Sequence, residues 1–198
     1  MLRIGQTGGM ASGKSYVGSC FADLGCHWIQ ADEIGHQVLE PGGEAYEPAV
    51  REFGPEILRP DNTIDRRKLG AIVFNNPAKL EKLNSFVHPA VYRVRARMLE
   101  EIAARDPDAI VILEVSILIE TGGHRNCDKV ILVICEEEQQ IERAMQRSGL
   151  TREEALARMR RQMPVEQKRQ YADFIVDTSG SKETTLEQVR TIYRQLRG

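Results

Sequence analysis

Little in this sequence points to metal, disulfide or membrane chemistry. The cysteines, Cys20, Cys26, Cys127 and Cys135, contain no C-x-x-C pair. That excludes a zinc knuckle or a redox dithiol, and they read as reduced thiols. His27, His36, His88 and His124 lack the spacing of metal ligands. No apolar run approaches the ~20 residues of a membrane span, and no segment reads as a signal peptide. The chain is therefore expected in the cytoplasm, away from the membrane. A net charge of −2 gives no general attraction to nucleic acid or to acidic lipid. Internal repeats, low-complexity tracts and long linkers are also lacking. What remains, at 198 residues, 41% hydrophobic and 28% charged, is an ordinary globular composition with enough chain for one substantial core.

Against that background one stretch stands out. Gly8-Gly9-Met10-Ala11-Ser12-Gly13-Lys14-Ser15 matches G-x-x-x-x-G-K-[ST]. The apolar run Met1–Ile4 precedes it as a strand, and Val17, Phe21 and Leu24 follow at helical spacing. Strand, glycine loop and helix are the order a phosphate cradle requires. The glycines let backbone N–H groups turn inward, and the helix N-terminus adds partial positive charge. Lys14 is expected to reach the terminal phosphates of a nucleotide, and Ser15 to hold magnesium.

His27-Trp28-Ile29-Gln30-Ala31-Asp32 reads as a second strand that ends on a carboxylate. Ligands of open α/β sheets bind beyond the carboxyl ends of the strands, which makes Asp32 a candidate general base. It is equally placed to cap the helix that follows over 33–39. From Pro41 to about Ala104 the chain turns polar and helix-rich, with helical spacing over 44–53 and 80–102. This is a helical insertion between core strands. Within it, Asp65-Arg66-Arg67 reads as a helix start with a surface ion pair. Asn84 and His88 share a helix face just before Pro89, where they line a pocket or cap a break in the helix.

Core strands are expected over 109–115, 128–135 and 171–177, with a last helix after 178–181. Glu114 ends the first of these strands, where an acid can hold a metal-bound water, and Glu120 reads as a structural hydrogen-bonding group. Glu136, Glu137 and Glu138 open an acidic helix start. Arg143 and Arg147 lie four apart on that helix and can point at one anion. Thr151-Arg152-Glu153-Glu154 has capping-box form. The arginine-rich pair of helices from about 139 to 162 has the composition of a lid that closes over phosphates. Two other nucleotide-binding classes share such a loop: small-molecule P-loop kinases with other acceptors, and GTP-hydrolysing switches. The long insertion favours a bulky acceptor, and the strand ending Cys135-Glu136-Glu137-Glu138 lacks the Asn-Lys-x-Asp of guanine readers.

In combination these motifs resemble the dephospho-coenzyme A kinase family. The resemblance rests on Thr7-Gly8-Gly9 to Lys14-Ser15, Ala31-Asp32, Ile64-Asp65-Arg66-Arg67, Leu83-Asn84 to His88-Pro89, Ile117-Leu118-Ile119-Glu120, Arg143 to Arg147, Gln162-Met163-Pro164 to Lys168, Tyr171-Ala172-Asp173, and Asp177 to Ser181. These cover nearly the whole chain. The sequence departs from the family's usual pattern at Tyr16, Gln30, Glu114 and Ser116, the last two at the expected metal-binding strand end.

The resemblance implies an α/β P-loop kinase fold: a five-stranded parallel sheet with helices on both faces. The core would be 1–32 and 105–198, the helical coenzyme A domain 33–104, and the lid 139–163. It implies transfer of the γ-phosphoryl group of ATP, with magnesium, to the ribose 3′-hydroxyl of dephospho-coenzyme A. Asp32 would be the catalytic base, acting with Lys14 and Arg143. The nucleotide would be held by Gly8, Gly9, Met10, Ala11, Ser12, Gly13, Lys14, Ser15, Tyr16, Arg147, Ser179 and Gly180, with magnesium on Ser15. The acceptor would be held by Asp32, His36, Arg66, Asn84 and His88. No nucleic acid, membrane or obligate protein partner is implied.

Overall fold

The computed structural model describes residues 1–74 and 76–198. In chain order the elements are β1 (Leu2–Gly8), α1 (Lys14–Asp23), β2 (His27–Gln30), α2 (Ala31–Gln37), α3 (Tyr46–Phe53), α4 (Arg66–Val73), α5 (Pro77–Arg105), β3 (Ile110–Glu114), β4 (Lys129–Ile134), α6 (Glu137–Ser148), α7 (Arg152–Met159), α8 (Val165–Arg169), β5 (Phe174–Asp177) and α9 (Lys182–Arg197). The chain divides into two compact units, Met1–Gln30 with Arg105–Gly198, and Ala31–Ala104.

The first unit is built on a five-stranded sheet in the order β2-β3-β1-β4-β5. Every pairing is parallel, with Ile4 opposite Ile112 and Lys129, and Val133 opposite Val176. Such strands are covered on both faces, which is why β3 and β4 read as unbroken apolar runs. Alternate residues divide between the faces. Ile4, Ile112, Ile131, Val133 and Val176 pack with Val17 and Phe21 of α1 and with Val189 and Ile192 of α9. On the opposite face Leu118 and Cys127 crowd against Gly5, and α8 packs on β4.

β1 is longer than its apolar run suggests. It continues through Gln6 and Thr7, both fully buried, to Gly8. As the central strand it is enclosed on both sides, and each polar side chain donates inward: Gln6 Nε2 to the Lys14 carbonyl at 2.8 Å, leaving its buried Oε1 without a hydrogen bond among the described residues, and Thr7 Oγ1 to the Ser116 carbonyl at 3.3 Å.

The second unit is helical. Tyr46, Ala49, Phe53, Ile57, Leu69, Val73 and Leu83 form its core. Asp65 caps α4 as the sequence suggests, accepting from the amides of Arg67 and Lys68, and pairs with Arg59. Helix α5 does not break at Pro89. It runs unbroken through the proline and is 29 residues long in all, about 43 Å at 1.5 Å per residue. No helix among the described residues is long and apolar enough to cross a membrane.

Candidate active site

The phosphate loop is set between the end of β1 and the start of α1. Gly13 has a φ of 87°, a conformation that costs a residue with a Cβ roughly 1–2 kcal/mol. A Cβ there would also approach Thr178 Oγ1 to 3.0 Å. The loop is braced from three directions. Thr178 Oγ1 donates to the Ser12 carbonyl at 2.8 Å. Gln162 Oε1 accepts from the Met10 amide at 2.8 Å. Met10 and Ala11 also pack on the small apolar cluster of α6 and α7, around Ile141, Ala144 and Ala155.

Lys14 is buried, and its ammonium donates to the carbonyls of Gly9 at 2.7 Å and Gly8 at 3.2 Å. Ser15 Oγ donates to Glu114 Oε1 at 3.0 Å. A hydroxyl beside a carboxylate offers hard oxygen donors, the kind magnesium prefers. Among the described residues no group of three or more His, Cys, Asp or Glu side chains is arranged to hold a metal. A cation at Ser15 would thus draw most of its ligands from phosphate and water, as magnesium commonly does. Tyr16 Oη donates to the Lys182 carbonyl.

Arg143 is half-buried and engaged. Its guanidinium donates to Thr178 Oγ1 at 3.0 Å, to the Thr178 carbonyl at 2.9 Å and to Cys135 Sγ at 3.1 Å. The same Thr178 hydroxyl reaches the loop at Ser12, so α6 and the phosphate loop share an anchor. Arg147, one turn further along α6, is exposed. Ser179 accepts from the Glu136 amide through Oγ, and from Gln139 Nε2 through its carbonyl, both at 3.0 Å. Ser179 and the exposed Gly180 thus lie on a loop stitched to the start of α6.

The segment joining α7 to α8 is fixed from below. Lys168, 1% exposed, pairs with Glu120 at 2.8 Å, and the Met163 amide donates to the same carboxylate. Burial, the largest influence on Glu120, opposes its charge. The Lys168 bond and the backbone amides outweigh it and hold the carboxyl below its ordinary range. This is the structural role expected of Glu120. The Thr151 capping box is present in full.

In the helical unit Asp32 is exposed and lies in the first turn of α2. It is therefore neither the last residue of β2 nor an N-cap, because the helix begins at Ala31. His36 faces Glu33 at 3.6 Å and Arg66 pairs with Glu40 at 3.5 Å. Asn84 and His88 line one open groove of about 560 Å³ along α5, together with Pro77, Leu80, Glu81, Ser85 and Pro89. Sequence reasoning gave no individual site role to Trp28, Gln162 or Thr178. Gln162 and Thr178 fall inside motifs that carried the resemblance, whereas nothing local marked Trp28.

A family model described as dephospho-CoA kinase matches residues 2–184. A dephospho-CoA kinase from Carboxydothermus hydrogenoformans is 44% identical over 192 residues, covering 97% of this chain and 93% of that one. The crystal structure of TT1252 from Thermus thermophilus superposes with a TM-score of 0.83 at 35% identity, covering 100% of this chain and 98% of that one. A dephospho-CoA kinase from Campylobacter jejuni superposes with a TM-score of 0.65 at 30% identity, covering 98% and 96%. In sequence and in fold, the chain belongs to the dephospho-CoA kinase family.

Proposed function

We propose that the chain phosphorylates dephospho-CoA with ATP as donor, the last step of coenzyme A synthesis, and that the ribose 3′-hydroxyl is the acceptor. The family match over residues 2–184 carries this reading. Phosphoryl transfer asks a protein mainly to position reactants and neutralise charge, and the loop geometry supports such a role. The amides from Gly8 to Tyr16 cradle the donor phosphates, and Lys14 leaves the loop carbonyls for the terminal phosphate oxygens. Ser15 would hold magnesium with Glu114 behind it; when bound, the ion neutralises charge on the phosphates. Arg143 acts from α6, with Arg147 on the same helix, and the 139–163 segment serves as the lid. Ser179 and Gly180 lie against the adenine of ATP.

On the acceptor side Asp32, two residues beyond the end of β2, takes the proton of the attacking hydroxyl. His36, Arg66, Asn84 and His88 hold the rest of dephospho-CoA in the helical unit. The reaction runs in the cytoplasm without an obligate protein partner. Incubation with magnesium, ATP and dephospho-CoA should yield a product whose added phosphate maps by fragmentation to the ribose 3′ position. ATP consumption independent of the acceptor would overturn the reading.

A further inference from the structure

The sequence contains a single tryptophan, Trp28, and it lies behind the phosphate loop. Its position in β2 is opposite Ile112 of β3, two residues before the Gln30–Glu114 pair. Residues two apart on a strand share a face, so Trp28 and Glu114 lie on the same side of the sheet. The indole Nε1 donates to Glu114 Oε2 at 3.0 Å, while Glu114 Oε1 accepts from Ser15 Oγ at 3.0 Å. The indole reaches this position only because α1 carries glycine at residue 18. A Cβ on Gly18 would lie 2.4 Å from the indole Nε1 and 2.5 Å from Cε2.

The chemistry of this chain of three groups is directional. An indole N–H can only donate, and a serine hydroxyl has one proton and two acceptor lone pairs. With its proton given to Glu114, Ser15 keeps its lone pairs for a cation. The Glu114 carboxylate can receive that proton in a fixed direction only if its own torsions are fixed. A glutamate is rich in rotamers, and two donors on its two different oxygens define both the position and the plane of the carboxylate. Burial does not provide the same constraint, because apolar packing does not select the orientation of a carboxylate.

We infer that Trp28 is a positioning residue for the cation side of the nucleotide site, acting through Glu114 on the Ser15 hydroxyl. The inference rests on the proposed role of Ser15 in holding magnesium, but not on the identity of the phosphoryl acceptor. Partners that orient a metal ligand commonly account for ~10–100-fold in metal affinity or activity. The lower end applies here, because the hydroxyl itself remains when the indole is removed.

Calorimetric titration with ADP, in magnesium and in EDTA, tests this without the acceptor. Wild type should bind ADP more tightly in magnesium, and in Trp28→Phe that gain should shrink about tenfold while affinity in EDTA is unchanged. A full magnesium gain in Trp28→Phe overturns the inference. So does an equal loss with and without magnesium, which would mark a purely structural role. Should Trp28→Phe fail to fold, the wild-type protein provides the second measurement. Its only indole should change emission on adding magnesium to the ADP complex, and an emission indifferent to magnesium overturns the inference. A magnesium-coupled indole in a protein that fails to phosphorylate dephospho-CoA would sink the substrate reading alone.

Discussion

The Lys168–Glu120 ion pair beneath the segment joining α7 to α8 gives the sharpest stability prediction. Lys168→Met removes an ammonium that is 1% exposed and leaves the Glu120 carboxylate, 22% exposed, without its cation. Breaking a buried pair from one side costs about 3–5 kcal/mol. Glu120 can recover some water through its exposed fraction and keeps the Met163 amide, so the low end, about 3 kcal/mol, is expected. For a chain of this size 1 kcal/mol moves the melting temperature by about 2–4 °C, giving a drop of about 6–12 °C. The double variant Lys168→Met, Glu120→Gln removes the orphan charge and should recover most of the loss, because a neutral pair of similar volume avoids the desolvation of both ions. Circular dichroism melts with matched urea titrations measure all three proteins. A single variant that melts within about 2 °C of wild type, or a double variant that melts below the single, refutes the reasoning.

The remaining expectations concern the loop, the proposed base and acid stability. Asp32→Asn should retain ATP binding and lose most turnover, about 10²-fold or more if the carboxylate is the general base; an unimpaired rate would leave Asp32 as a charge in the first turn of α2. Gly13→Ala forces a Cβ into a left-handed conformation and toward Thr178. It should cost about 1–2 kcal/mol of stability by denaturant titration and weaken nucleotide binding, and wild-type behaviour in both would count against it. Asp173 accepts from Lys129 Nζ and the Val130 amide, each at 2.8 Å. Burial, the largest influence, raises its pKa, but these bonds prevail and hold the carboxyl below its ordinary value. Its stabilising contribution is therefore present above the ordinary value near 4 and is lost as pH falls through the lowered one. Asp173→Asn should flatten the acid limb of a stability–pH profile; an unchanged limb would exclude Asp173 as a contributor.

What the sequence revealed and what it concealed divide along physical lines. Local chemistry was legible: the glycine loop before α1, the Asp65 cap and the Thr151 capping box each depend on residues within one turn, and each forms as read. Boundaries were less legible. The apolar run Met1–Ile4 marked only the first part of β1, because a central parallel strand can also bury polar side chains such as Gln6 and Thr7 when neighbouring elements accept their hydrogen bonds. Asp32 looked terminal because the strand run ends there, yet the helix had already begun at Ala31. Pairings across the sheet were hidden. Trp28 and Glu114 are 86 residues apart, and Lys168 and Glu120 stand on separate segments. Their meeting is dictated by strand order and parallel register, which no short-range pattern encodes. The same holds for Thr178, whose hydroxyl bridges Arg143 and Ser12 only once β5 lies beside β4.

The unbroken passage of α5 through Pro89 carries a consequence for its groove. Proline has no amide hydrogen, so the regular ladder of the helix omits the bond from residue 89 to the carbonyl of Ser85. Ser85 and Pro89 both line the groove that contains Asn84 and His88. The missing rung thus falls in the wall of that groove. Any residue with an amide hydrogen in place of Pro89 would restore that rung, so the helix here is held by its flanking turns and side-chain packing and not by a continuous ladder.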